Sequence, residues 1–216
     1  MSSPISTAGP ISTAATTGTA ATNSTAGMNG TADSGVSGDG PLAHHLDRFA
    51  AFDDRVDAWV DTIRSPALDH VFYALSSAAD HSVLWHVLGA VAGLRHRSLA
   101  PTRRLSKILA TESALTNGAI KSLFRRERPE RDRTADESLP YGMRVPITSS
   151  FPSGHATAAF TAAAVLSEDG GAAIWYPLAA LVAGSRVYVR MHHASDVIGG
   201  AALGVVLGAA LRRIVR

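Results

Sequence analysis

The chain has 216 residues, 46% of them hydrophobic, with no cysteine and a formal net charge of +2 at pH 7. Without cysteine there is no disulfide framework, no thiolate nucleophile and no Cys-ligated metal. The near-neutral total hides a basic cluster, Lys121, Arg125, Arg126, Arg128, Arg131, Arg133 and Arg144, in which Glu127, Glu130, Asp132, Asp136 and Glu137 are interleaved. That dilution favours a focused anion site over a continuous nucleic-acid track, so no nucleic-acid partner is expected.

Residues 1–42 are almost entirely Ser, Thr, Ala and Gly, with Asp33 and Asp39 the only charged side chains. So few large apolar groups cannot offset the entropy of ordering, and the composition predicts a disordered tail. Met28 lies inside it as a second possible start. No basic segment followed by an apolar stretch opens the chain, so no cleaved signal peptide is expected.

Residues 43–65 carry Leu46, Phe49, Phe52, Val56, Trp59, Val60 and Ile63 at helical spacing, with Asp and Arg opposite. This is the pattern of an amphipathic helix, lying either along a membrane surface or against a protein core. From Pro66 onward the chain is more apolar. Residues 69–94 have the length of a bilayer span, with Asp80 and His81 interrupting the middle, where a break into two shorter helices is one outcome. Residues 104–124 form a more polar helix with Ser113, Asn117 and Lys121 every four positions, a stripe suited to protein or a wet cavity rather than lipid. Segments 156–167, 172–189 and 196–211 are rich in Ala, Val, Leu and Gly, each too short by itself to define a span. Gly200, Gly204 and Gly208 form a small-residue seam that lets a neighbouring helix come close. No strand alternation competes, and the pattern predicts an all-α, membrane-embedded helical bundle over 66–216.

Three polar sets sit at the ends of these segments. In the first, Lys121 stands at a helix end and Arg128 follows two turns later, before Pro129, so that both cations can converge on one anion. In the second, Pro152-Ser153-Gly154-His155 makes a turn into an apolar helix whose first N–H groups cradle an anion. In the third, Ser185-Arg186 precedes His192 and Asp196. Four residues apart on a helix, these two share a face, and a carboxylate there holds one ring nitrogen and frees the other as a nucleophile. Each set alone has a structural reading as good as its chemical one. A metal would need further carboxylates at ligand spacing, and none is found.

Taken together, Lys121-x6-Arg128-Pro129, Pro152-Ser153-Gly154-His155 and Ser185-Arg186-x5-His192-x3-Asp196 resemble the three signature motifs of the type 2 phosphatidic acid phosphatase (PAP2) superfamily. They occur in the family's order, with no departure at a signature position. The resemblance implies a bundle of the PAP2/haloperoxidase type and a membrane lipid phosphatase needing no metal or other cofactor. It implies further that Lys121, Arg128, Ser153, Gly154 and Arg186 bind phosphate. His192 would form a phosphohistidine, Asp196 would orient it, and His155 would act as acid and then base. The substrate would be a lipid phosphate: phosphatidic acid-like, a polyprenyl phosphate or diphosphate, or an envelope precursor such as decaprenylphosphoryl phosphoribose. That last option is suggested by Ala- and Arg-rich usage typical of a GC-rich bacterium. A vanadate haloperoxidase shares the motifs but is larger and soluble, and a non-enzymatic lipid-binding scaffold is the remaining alternative. If every segment crosses the membrane, the Arg95–Lys107 connection and the Arg212, Arg213, Arg216 tail lie on one side. The positive-inside rule makes that side cytoplasmic and the site extracytoplasmic in a multi-pass protein. Oligomeric state is not legible.

Overall fold

A computed structural model of the chain describes residues 41–95, 97–129, 140, 143 and 147–215. All of the expected tail except Pro41 and Leu42 lies outside these residues, as do Arg131, Arg133, Arg144 and the acidic Glu130, Asp132, Asp136 and Glu137. Among the described residues every regular element is helical, in agreement with the all-α expectation.

Helix α1 (Pro41–Ile63) is the amphipathic segment. Its Phe52, Val56, Val60 and Ile63 pack on Met143, Val187, Tyr188, Val189, Met191 and Ala194. Phe49 and Trp59, on the same expected stripe, stay exposed at 58% and 59%. The apolar residues thus divide between a protein-facing side and an outward side. Helix α2 (Pro66–Ala78) starts where the sequence signals it, with Ser65 as N-cap and Pro66 in the first turn. The expected long span then breaks. Asp80–Ser82 form a 3-10 turn with His81 and Ser82 at φ 52° and 60°, and α3 (Val83–Arg95) restarts beyond it. Non-glycine residues visit that region at a cost of about 1–3 kcal/mol, so the surroundings must hold the break in place.

Helix α4 (Ala100–Ser113) widens into π-helical Ala114–Ile120, tightens to a 3-10 turn at Lys121–Leu123, and stops at an extended Phe124. Arg128 is therefore not two helical turns beyond Lys121 but on a non-helical stretch of chain, because the helix ends five residues before it. Helices α5 (Gly154–Leu166), α6 (Ala172–Tyr188) and α7 (Ala194–Ile214) complete the bundle, with α5 packed among α4, α6 and α7.

Alanine makes this packing close. Ala156, Ala158, Ala159, Ala162, Ala163 and Ala164 are buried along α5. Across the seam, a Cβ on Gly200 would stand 2.5 Å from the Ser153 carbonyl oxygen, and one on Gly204 would stand 2.4 Å from that of Thr157. The small-residue pattern of α7 is thus where backbone meets backbone. The last helix is longer than the expected 196–211: 21 residues, about 30 Å of helix, with a mean hydropathy of 1.8 over its most apolar 18-residue stretch. Among the described residues it is the one helix long and apolar enough to cross a membrane. Val83, Val87, Val91 and Leu94 form an exposed apolar stripe along α3, and Ile198 and Val206 are exposed on α7. Such faces are costly in water and at home in lipid.

Candidate active site

One open cavity of about 810 Å³ gathers most of the residues singled out by the motifs. Lys121, Gly154, His155, Arg186 and His192 line it, with Asp80, Glu112, Ser113 and Asn117 around them. Each is delivered by the end of an element. Lys121 comes from the turn that terminates the π-helical stretch, Gly154 and His155 from the first turn of α5, Arg186 from the last turn of α6, and His192 from the connection into α7.

His192 stands one residue before the N-cap of α7, and Asp196 lies in that helix's first turn. The two are therefore not stacked one helical turn apart. The chain enters the helix at an angle that sets Nδ1 of His192 3.7 Å from Oδ2 of Asp196, with Ser150 between them. The Ser150 hydroxyl donates to Asp196 Oδ2 and sits 3.4 Å from His192 Nδ1. On the other side of the ring, Nη1 of Arg128 is 3.3 Å from His192 Nε2. A guanidinium only donates, so Nε2 must present its lone pair and Nδ1 must carry the proton. Burial pushes this imidazole down to about 3, with Arg128 and Arg186 acting in the same sense and Asp196 opposing them. The ring stays neutral, and hence nucleophilic, across the physiological range.

Arg128 is anchored by donating to the Met191 carbonyl at 2.6 Å and the Thr148 carbonyl at 3.2 Å. Arg186 is 2% exposed, donates to the Ser76 hydroxyl, and lies 3.9 Å from Asp80. Lys121 is buried beside the opening of α5, where a Cβ on Gly154 would meet Asn117 Oδ1 at 3.1 Å and Lys121 Nζ at 3.8 Å. Glycine at 154 leaves that approach open. Ser153 is fully buried, its N–H donates to the Asp196 carbonyl, and its hydroxyl caps α5 at 3.5 Å from the Ala156 N–H. It does not line the cavity as its neighbours do.

Four participants were not singled out from sequence. Asp80 accepts from His155 Nε2 at 2.7 Å, so the polar interruption of the expected span is a partner for the second imidazole. Arg126 donates to Asp196 Oδ1 at 2.7 Å and to Asp53 of α1. Asp53 also accepts from the Ser195 N–H at 2.8 Å and its hydroxyl at 2.6 Å. Ser150 completes the set. The signal for Asp80 was present as a carboxylate inside an apolar run; Asp53 and Ser150 carry none, and Arg126 was lost among the other arginines.

A family model of the PAP2 superfamily matches residues 104–216, which carry every motif of the site. The chain belongs to the PAP2 superfamily. The phosphatase is 32% identical over 139 residues to decaprenylphosphoryl-5-phosphoribose phosphatase of Mycobacterium tuberculosis, covering 62% of this chain and 73% of the relative. It is 32% identical over 131 residues to the Mycolicibacterium smegmatis protein of the same name, with 59% and 68% covered. Two solved structures share the fold. A transmembrane PAP2-type phosphatidylglycerolphosphate phosphatase from Bacillus subtilis aligns at a TM-score of 0.61 and 24% identity, over 80% of this chain and 89% of that one. Aquifex aeolicus LpxE aligns at 0.58 and 27%, over 74% and 93%. The chain is a membrane-associated lipid phosphatase, a phosphoric ester hydrolase.

Proposed function

We propose that this phosphatase works by in-line displacement through a phosphohistidine on His192, with no metal taking part. The observation that carries the reading is the polarity of the His192 ring. Nδ1 faces Ser150 and Asp196, and Nε2 faces Arg128, where a phosphate oxygen would also bind. Nε2 attacks phosphorus, and the ester oxygen leaves with a proton from His155. Water then gives a proton to His155 and its oxygen to phosphorus, releasing inorganic phosphate and restoring His192. Lys121, Arg128 and Arg186, with the Gly154 N–H that opens α5, balance the charge that spreads over the equatorial oxygens. Fixed cations thereby do what a divalent ion does elsewhere.

For the substrate, the mycobacterial relatives support a prenyl-linked sugar phosphate of the decaprenylphosphoryl phosphoribose type over a simple phosphatidic acid. For topology, we take the helices to cross the membrane several times, with the site extracytoplasmic. Supporting this, Arg104 donates to the Val215 and Arg212 carbonyls, which ties the basic 95–107 connection to the basic end of α7. The site lies at the opposite end of that helix.

Purified protein in excess EDTA should release phosphate from a lipid phosphate and be inhibited by vanadate. Rapid quench with a ³²P-labelled substrate should trap an acid-labile, base-stable label that His192→Ala does not form. Strict dependence on a divalent ion, or labelling that survives His192→Ala, would overturn the mechanism.

A further inference from the structure

The cavity is several times larger than a phosphate group, and its two walls differ in chemistry. One wall holds the cations and imidazoles already described. The other is the inner face of α4 and its π-helical extension, which contributes Ser106, Glu112, Ser113 and Asn117. π-Helical turns displace side chains from the regular register and recur at functional sites. The phosphoryl-transfer steps use none of these four residues.

Glu112 is the anomaly. It is 1% exposed, lines the cavity, and its Oε1 has no hydrogen-bond partner. A buried, unsatisfied carboxylate oxygen costs about 1–3 kcal/mol or more, which a partner arriving with the substrate would recover. The unpaired Oε1 is an acceptor, so its partner must bring O–H or N–H groups. An ionised phosphate and an acyl ester both offer acceptors only. Asn117 joins this wall to the phosphate end. Its Nδ2 donates to the Ser113 hydroxyl at 3.1 Å, while its Oδ1 lies against the Gly154 backbone. A group held by Glu112 and Asn117 would share one cavity with the phosphate, beside its binding groups.

We propose that Glu112, Ser113 and Asn117 form a subsite for the leaving alcohol, and that this alcohol is a polyol whose free hydroxyls donate to Glu112. The proposal rests on the phosphatase reading and sharpens it. A phosphomonoester on a sugar or glycerol is recognised, and phosphatidic acid, with no hydroxyl beside its phosphate, leaves Glu112 unpaired.

The test compares kcat/KM for three detergent-solubilised substrates: a short-chain prenylphosphoryl ribose 5-phosphate, a phosphatidylglycerol phosphate and a phosphatidic acid. Wild type, Glu112→Ala, Glu112→Gln and Asn117→Ala are measured on each. A site built around hydroxyls discriminates by orders of magnitude against an analogue lacking them. We expect Glu112→Ala to lower the polyol substrates at least tenfold, mainly in KM, with phosphatidic acid hydrolysis unchanged or raised. Glu112→Gln, which keeps an acceptor oxygen, should fall between. The ribose and glycerol arms separate the two sources of hydroxyls. Equal losses on all three substrates in Glu112→Gln and Asn117→Ala would make the wall merely structural and sink the subsite. Hydrolysis of none of the three by wild type would sink the phosphatase reading itself, and the subsite with it.

Discussion

The proton on Nδ1 of His192 has two acceptors within reach and the lone pair on Nε2 has a cation, so this ring is held by its neighbours rather than by one partner. Ser150 is the neighbour whose removal is cleanest. Ser150→Ala should lower kcat about tenfold, the worth of one hydrogen bond, with KM little changed in a steady-state assay. On the proposed mechanism, Arg128→Ala removes an oxyanion donor and should cost ~10²–10³ in kcat. Asp80 acts on the other imidazole. If it holds His155 for protonating the leaving oxygen, Asp80→Asn should slow alkyl phosphates and spare p-nitrophenyl phosphate, whose leaving group needs no acid. Equal slowing of both would assign Asp80 a structural role. These two residues also mark where sequence reasoning stopped. His192, His155, Lys121, Arg128 and Arg186 stood out because three short motifs together resemble a family's signature, which no one of them does alone. Ser150 and Asp80 act through contacts 46 and 75 positions away, and nothing in a linear pattern encodes such a meeting.

At the level of elements, α7 was legible in kind but not in extent. Its glycine repeat foretold a close crossing, and α5 fills that crossing with alanine. Placing a side chain at the seam should be far worse than the same change on the lipid side. Gly204→Leu would drive carbon into the Thr157 carbonyl, 2.4 Å from where the Cβ must stand, whereas Val206→Leu, 63% exposed, should be silent. Detergent thermal-shift assays should show a large drop, or no folded yield, for the first alone. The break between α2 and α3 was foreseen as one outcome of Asp80 and His81 inside an apolar run. The π-helical stretch was not, because the every-fourth-residue spacing of Ser113, Asn117 and Lys121 reads as an ordinary helix. The straight helical path from Lys121 to Arg128 was likewise mistaken, since Phe124 leaves the helix before any proline intervenes.

Over the whole molecule, the His192 imidazole couples to stability with a definite sign. Its value is about 3 in the folded protein against 6.5 for an unperturbed histidine. Between these limits the unfolded chain binds the extra proton, so stability falls as pH is lowered from about 6.5 toward 3 and gains nothing above it. Thermal midpoints in detergent should decline over that window, and His192→Asn should make the decline shallower. Sidedness is equally open to measurement, because the native chain has no thiol to confuse labelling. With Ile147→Cys and Ser98→Cys made separately, an impermeant maleimide on intact cells should modify the first and reach the second only after lysis. The reverse would invert the proposed orientation.

The tie from Asp53 through Arg126 to Asp196 has a consequence for where this enzyme begins. All three signature motifs lie between 121 and 196, and a chain trimmed to start after Ile63 would retain every one of them. It would also lose the carboxylate that steadies Arg126 and Ser195, leaving Asp196 with one fewer restrained neighbour beneath the His192 ring. A catalyst that keeps this support therefore reaches back to α1, which carries no motif at all.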